Sequence, residues 1–209
     1  MELINGEELT DKIQFIQPDD NNEFDQTVAK VQLQKPVMPQ QTIEIYIEFE
    51  AKLPKVFARS GYHEDFFLVG QWFPKIGVYE EAGERYATEG QWNCHQYHSE
   101  SEFFSDFGVY DVTITVPQKY VVGATGILID EQIIDDSTKS LNYYCEDIHD
   151  FAWSADPNFV VLEDQWKHIK IKFLVQPQRT YDADRYIQAI KNSFELFEEW
   201  FGEYPYPVF

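Results

Sequence analysis

Ile43, Ile45, Ile47 and Phe49 alternate with Glu44, Tyr46, Glu48 and Glu50, the two-residue period of a strand with one apolar and one wet face. Ala29, Val31 and Leu33 repeat the pattern across Lys30 and Gln32, Val112, Ile114 and Val116 across Thr113 and Thr115, and Ile169, Ile171 and Phe173 across Lys170 and Lys172. Turn signals at Asn5-Gly6, Pro39-Gln40, Ala82-Gly83 and Asp135-Asp136-Ser137 separate these runs, so the first three quarters of the chain read as antiparallel strands with short connections. The stretch FFLVGQWFPKIGVY, residues 66 to 79, breaks the alternation. Phe66 to Phe73 is apolar at odd and even positions alike, which predicts a central strand covered on both faces, with Gln71 as a lone amide inside it. Such a group buried without a partner costs about 1–3 kcal/mol, so something must meet it.

After Gln176-Pro177 the period changes. Ala183, Tyr186, Ile187, Ile190, Phe194, Phe197, Trp200 and Phe201 recur at spacings of three and four, and Gly202 follows where a helix stops. The spacing predicts one amphipathic helix over Asp182 to Phe201, about 30 Å long at 1.5 Å per residue. Its aromatic stripe is wider than a sheet appendage needs and calls for a further covering layer. The expected organisation is therefore a partial β domain over 1–176, an antiparallel sandwich or saddle, followed by a linker and one long helix over 177–209 that belongs to a second, absent domain. An uncovered stripe predicts self-association, or docking of the helix onto the chain's own sheet.

Composition narrows the partners. The 209 residues include 37 acidic and 16 basic side chains, a formal net charge of -21 that repels nucleic acid and anionic lipid and favours cations, including the ammonium end of a peptide. No stretch approaches the roughly 20 apolar residues of a membrane-spanning helix, and MELINGEELT lacks the basic start and apolar centre of a secretory signal, so a soluble chain is expected. Cys94 and Cys145 are too few for a disulfide framework.

No self-sufficient catalytic motif emerges. His63-Glu64 lacks the second histidine of a zinc-peptidase helix motif. Cys94-His95-Gln96-Tyr97-His98 places three metal-ligand types within five residues but has no second cluster, which favours a loop whose histidines meet backbone. Asp19, Asn21, Glu23 and Asp25 alternate like a calcium loop, yet Phe24 stands where the turn requires glycine and Lys30 where it requires a bidentate glutamate. Carboxylate pairs such as Glu100 with Glu102, or Asp147 with Asp150, are expected by chance among so many acids. Ser60, Ser99 and Ser154 lack a nucleophile elbow, and Gly123-Ala124-Thr125-Gly126 reads as a turn. Trp72, Trp92, Tyr97 and Tyr110 remain as possible stacking platforms for sugars or protein, against the plainer reading that bulky rings on strands bury themselves.

In chain order, GQWFPKIGVYE at 70 to 80, SEFFSDFGVYDVTITVPQKYVVGATG at 101 to 126, DIHDFAWSADPNF at 147 to 159 and FGEYPYP at 201 to 207 resemble the non-catalytic amino-terminal region of the M1 aminopeptidases, gluzincin-like zinc metallopeptidases, most closely the bacterial branch. The resemblance implies an antiparallel β saddle or sandwich beside a thermolysin-like catalytic domain, with residues 182–201 as that domain's first helix. It implies that the chain itself carries no catalytic residue, metal ligand or cofactor, the zinc lying in the catalytic domain, and that it is inactive alone. One site residue carries over: Gln71 matches the glutamine with which many members line the pocket for the substrate's first residue. The remaining matched residues, Phe107 to Asp111, Gly123, Gly126 and Phe151 to Trp153, read as architecture. The rival expectation is a carbohydrate- or protein-binding β module using surface aromatics, and a third is a structural domain of a pseudoenzyme.

Overall fold

The computed structural model describes residues 1–3, 6–55 and 59–209. Asn5 of the Asn5-Gly6 turn signal lies outside the described residues, while Gly6 has the left-handed φ of 87° that such a turn requires. In chain order the strands are β1 (Glu2–Leu3), β2 (Ile13–Phe15), β3 (Ala29–Val31), β4 (Ile45–Tyr46), β5 (Gly61–His63), β6 (Phe66–Val69), β7 (Val78–Glu80) and β8 (Gln91–Asn93). There follow β9 (Gly108–Pro117), β10 (Val121–Ala124), β11 (Ile127–Ile133), β12 (Thr138–Ile148), β13 (Trp153–Asp156), β14 (Val160–Trp166) and β15 (Ile169–Val175). The chain ends in a 3-10 turn, Pro177–Asp182, that runs into the helix α1 (Ala183–Phe201). The fold is mainly β with antiparallel pairing and one C-terminal helix, as the periodicities predict.

Two compact units divide these elements. The first comprises Met1–Ala51 and Phe73–Asp106 and pairs β1 with β4, β2 with β3 and β7 with β8, each antiparallel. Among the described residues, the pairing of 43–50 is that of Ile45–Tyr46 with Leu3 and Glu2. Ile43 and Phe49 are 41% and 45% exposed.

The second unit comprises Lys52–Trp72 and Phe107–Phe209. One sheet runs in the order β11-β12-β9, the other β10-β13-β6-β5, and β14 with β15 forms a hairpin. On β9 the period-two pattern is realised as written, with Ile114 and Val116 buried and Thr113 and Thr115 exposed. Strand β6 is interior to its sheet, between β13 and β5, but it ends at Val69, and its residues are half-buried apart from the buried Val69. The expectation that the strand continues to Phe73 is corrected here: β6 ends at Val69, Gly70 donates its N–H to Ser60 Oγ at 3.0 Å, and Gln71 turns the chain with a left-handed φ of 53°, outside the β region of regular strand.

Helix α1 packs one flank on the β14–β15 hairpin. Ile169, Ile171 and Phe194 form a buried cluster, and Trp166 stacks on Phe194 with ring centroids 5.4 Å apart. Each such side chain contributes about 1.5–3 kcal/mol by leaving water. Gly202, at φ 95°, returns its N–H to the Glu198 carbonyl and ends the helix. The tail then runs back along β15: Lys170 and Lys172 donate N–H groups to the Pro207 and Phe209 carbonyls, and Phe209 donates to the Lys170 carbonyl, all at 2.9 Å. Among the described residues, no helix is long and apolar enough to cross a membrane.

Candidate functional site

The segment from Asp147 to Phe151, the bulged end of β12 and the connection that follows it to β13, gathers side chains from distant parts of the second unit. Gln71, just past the end of β6, is exposed and donates its side-chain N–H to the Asp150 carboxylate. The next residue, half-buried Trp72, donates its indole Nε1–H to the Phe151 carbonyl at 3.0 Å. Asp150 also accepts the Phe151 N–H through Oδ1 at 2.8 Å, so its carboxylate is oriented from two sides. Phe151 is fully buried under the ring of Tyr110, centroids 6.2 Å apart, and Phe107 meets His149 edge-on at 5.7 Å. Burial, and next the nearby Asp150 charge, push the Tyr110 phenol above its usual range. From the far end of the chain, Tyr206 donates its hydroxyl to the Asp147 carbonyl at 2.6 Å.

This geometry sorts the candidates of this unit. Gln71 is met by a carboxylate 79 residues away in sequence. Asp150, in the connection after β12, is engaged by Gln71 and its own neighbour, and Asp147, at the bulged end of β12, takes a left-handed φ of 56°. Trp72 and Tyr110 are half-buried, the first bonded to the Phe151 carbonyl and the second stacked on the Phe151 ring. Ser154 donates to the Phe67 carbonyl at 2.8 Å, a cross-strand bond. Gly123 and Ala124 end β10, paired with Ser154 and Trp153, and Thr125 and Gly126 form the turn to β11, with Gly126 at φ 90°.

The first unit joins two motifs that were separate in sequence. Asp19 accepts from His95 Nδ1 at 2.9 Å through one oxygen and meets His98 Nε2 at 3.1 Å through the other, which also accepts the Gln96 N–H at 2.7 Å. The hydrogen bond from His95 leads the causes that hold the Asp19 carboxyl below its usual range. Gln96, buried to 2% exposure, accepts the N–H groups of Asp19 and Asp20 at 3.0 Å and donates to Asp20 Oδ1 at 2.9 Å. Each imidazole therefore sits on its own oxygen of one carboxylate, a hydrogen-bonded clamp. Among the described residues, no group of three or more His, Cys, Asp or Glu side chains could hold a metal ion. Cys94 and Cys145 are both free thiols. Trp92 and Tyr97 are 63% and 59% exposed.

A third feature escaped the sequence reading in its detail. Beside the flank that packs on the hairpin, α1 keeps an open apolar face on which Tyr186, Phe197, Trp200 and Phe201 are 46%, 52%, 62% and 81% exposed. Of these, Tyr186, Phe197 and Phe201, together with Phe173, Tyr204 and Phe209, bound a groove of about 660 Å3.

No family model and no curated protein matches this sequence. Among solved structures, the chain is similar to the crystal structure of Legionella pneumophila aminopeptidase A in complex with aspartic acid, at 20% identity and a TM-score of 0.48, over 71% of this chain. The matched region spans only 17% of that chain.

Proposed function

We propose that this chain is the scaffold and part of the substrate-cleft wall of an M1-like zinc aminopeptidase, with Gln71 facing the substrate's first residue and no catalytic step of its own. The observation that supports the reading best is a convergence: the four sequence blocks that resemble the family, far apart along the chain, supply Gln71 and Trp72, Tyr110, Asp147 to Phe151, and Tyr206, and these meet at one loop. Gln71 occupies a backbone conformation that costs a non-glycine residue about 1–2 kcal/mol, a feature that clusters where the side chain has a task. A glutamine amide carries a carbonyl acceptor of the kind a substrate ammonium needs beside its N–H donors. Zinc, which would activate water for attack on the first peptide bond, belongs in this reading to a catalytic domain outside these 209 residues.

The test is release of an aminoacyl reporter by a polypeptide carrying this chain together with its catalytic domain, compared with the 209 residues alone. Turnover by the larger protein only, with Gln71→Ala raising KM and leaving kcat nearly unchanged, is the expected result. Absence of release by the larger protein would overturn the peptidase reading, and an unaltered KM would overturn the role of Gln71.

A second reading rests on the first unit. Trp92, with Tyr79 edge-on at 5.4 Å, and Tyr97, tilted on Phe103 at 6.3 Å, are exposed rings of the kind that bind a sugar or protein by stacking. Loss of glycan binding in Trp92→Ala with the fold retained would favour it.

A further inference from the structure

We infer that Tyr206 is a positioning residue for the Gln71 site: by holding the Asp147 carbonyl it fixes the bulged end of β12, and with it the place where Asp150 meets the Gln71 amide. The register of β12 with β9 slips between Cys145, paired with Tyr110, and Ile148, paired with Gly108, so Glu146 and Asp147 stand opposite Val109 alone. A bulge of this kind leaves its extra residue outside the ladder and bends the strand, which re-aims whatever follows. Asp147 takes part in the bend with its left-handed φ of 56°, a conformation that a non-glycine residue holds only when its surroundings fix it. The Tyr206 hydroxyl, 2.6 Å from the Asp147 carbonyl, is such a fixture, and it comes from 59 residues further along the chain. Ile148 then enters the core, and Asp150 follows two residues later.

Tyr206 can fix another residue because it is itself held. Pro205 and Pro207 on either side restrict its backbone, since each proline locks its own φ and biases the residue before it towards extended conformations. Its half-buried ring meets Tyr204 edge-on at 5.3 Å, and Tyr204 lies tilted on Phe194 of α1 at 5.1 Å. The Pro207 carbonyl accepts the Lys170 N–H of β15 at 2.9 Å. The hydroxyl therefore reaches from the packing of α1 and β15 to the end of β12, all within the second unit. On the other side of the segment, Trp72 holds the Phe151 carbonyl at 3.0 Å. Residues 147–151 are thus pinned at both ends, with Asp150 between the two pins. Taking away the Tyr206 hydroxyl releases one of them.

The inference rests on the proposed function for what Gln71 does, but its first test reads the Gln71 amide directly and needs no turnover. Heteronuclear NMR of the 209-residue protein follows the Gln71 side-chain amide, assigned by its loss in Gln71→Ala, and the exchange of the Phe151 N–H with solvent. Tyr206→Phe removes the hydroxyl and keeps the ring against Tyr204. It should move the Gln71 amide resonances in the direction that Asp150→Asn moves them, and speed Phe151 exchange roughly twofold to tenfold, the factor carried by one ordinary hydrogen bond. Exchange at buried Ile169 and Ile171 should keep the parent rate, and Tyr181→Phe, at an exposed tyrosine of the same unit, should change neither readout. Gln71 resonances that stay in place, or an acceleration shared by Ile169 and Ile171, would mean that Tyr206 only supports the fold and would overturn the inference. In a larger protein that includes the catalytic domain, Tyr206→Phe should raise KM as Gln71→Ala does. A KM raised by Gln71→Ala alone would also overturn the inference, whereas a KM raised by neither would count against the role of Gln71 and not against the tie, which the amide readouts decide.

Discussion

Gln71 and Asp150, separated by 79 residues in sequence, are joined through the glutamine's side-chain N–H and the aspartate's carboxylate. The bond is at the surface, where exchange with water leaves a hydrogen bond worth about 0.5–1.5 kcal/mol. The left-handed backbone at Gln71 costs a similar amount. Gln71→Ala, which loses the bond and keeps the strain, should therefore be less stable than Gln71→Gly, which loses the bond and relieves the strain, by about 0.5–1 kcal/mol. Urea unfolding of the two variants measures the difference; equal stability would mean that the backbone is not strained there.

The partner of Gln71 was invisible in sequence because nothing local to residues 66–79 points at a loop in the second half of the chain. Alternation reports which face a strand would bury, and it served well for β9 and β15, whose neighbours are as long as they are. At 43–50 the described pairing covers Ile45–Tyr46, and the partner segment continues into residues outside the described ones. Strand β12 hides its buried parity, Leu141 and Tyr143, among Lys139, Asn142 and Tyr144, so a stretch that reads as mixed becomes the middle of a sheet. The helix was legible because its period and its glycine stop are local signals. Its division into one packed and one bare flank was not, since that depends on how much of the stripe a two-stranded hairpin can cover.

Phe194 and Phe197 lie three residues apart on that helix with opposite environments, 6% and 52% exposed. Phe194→Ala opens a cavity against Trp166, Ile169 and Ile171 and should cost about 3–5 kcal/mol. Phe197→Ala should cost less than about 1 kcal/mol. Thermal unfolding of both variants checks the contrast, and a large loss for Phe197 would show that its face is covered within this chain.

The clamp on Asp19 predicts an acid response in the first unit. Its carboxyl is held below the usual range chiefly by the His95 hydrogen bond, so the stabilisation it provides is fully present above the ordinary aspartate value near pH 4 and is lost as pH falls through the lower folded value. Amide exchange at Asp19, Asp20 and Gln96 should accelerate over that window. Asp19→Asn, which cannot titrate, should exchange faster at neutral pH and show no such acceleration.

Tyr143 predicts the opposite limb. Its phenol is buried, donates to the Val122 carbonyl at 3.1 Å, and is pushed up to about 12, first by burial and then by the charge of Glu131. Because the unfolded phenol ionises near 10, the folded state loses stability as pH rises from about 10 to about 12, by about 1–3 kcal/mol in all. Below pH 10 the full contribution is present. Tyr143→Phe should flatten this alkaline limb, and at neutral pH it should cost about 1–3 kcal/mol because the Val122 carbonyl loses its donor. Denaturant melts between pH 8 and pH 12, about two units either side of the ordinary tyrosine value, follow both effects. A variant as alkali-sensitive as the parent would place the vulnerable phenol elsewhere among the 13 tyrosines.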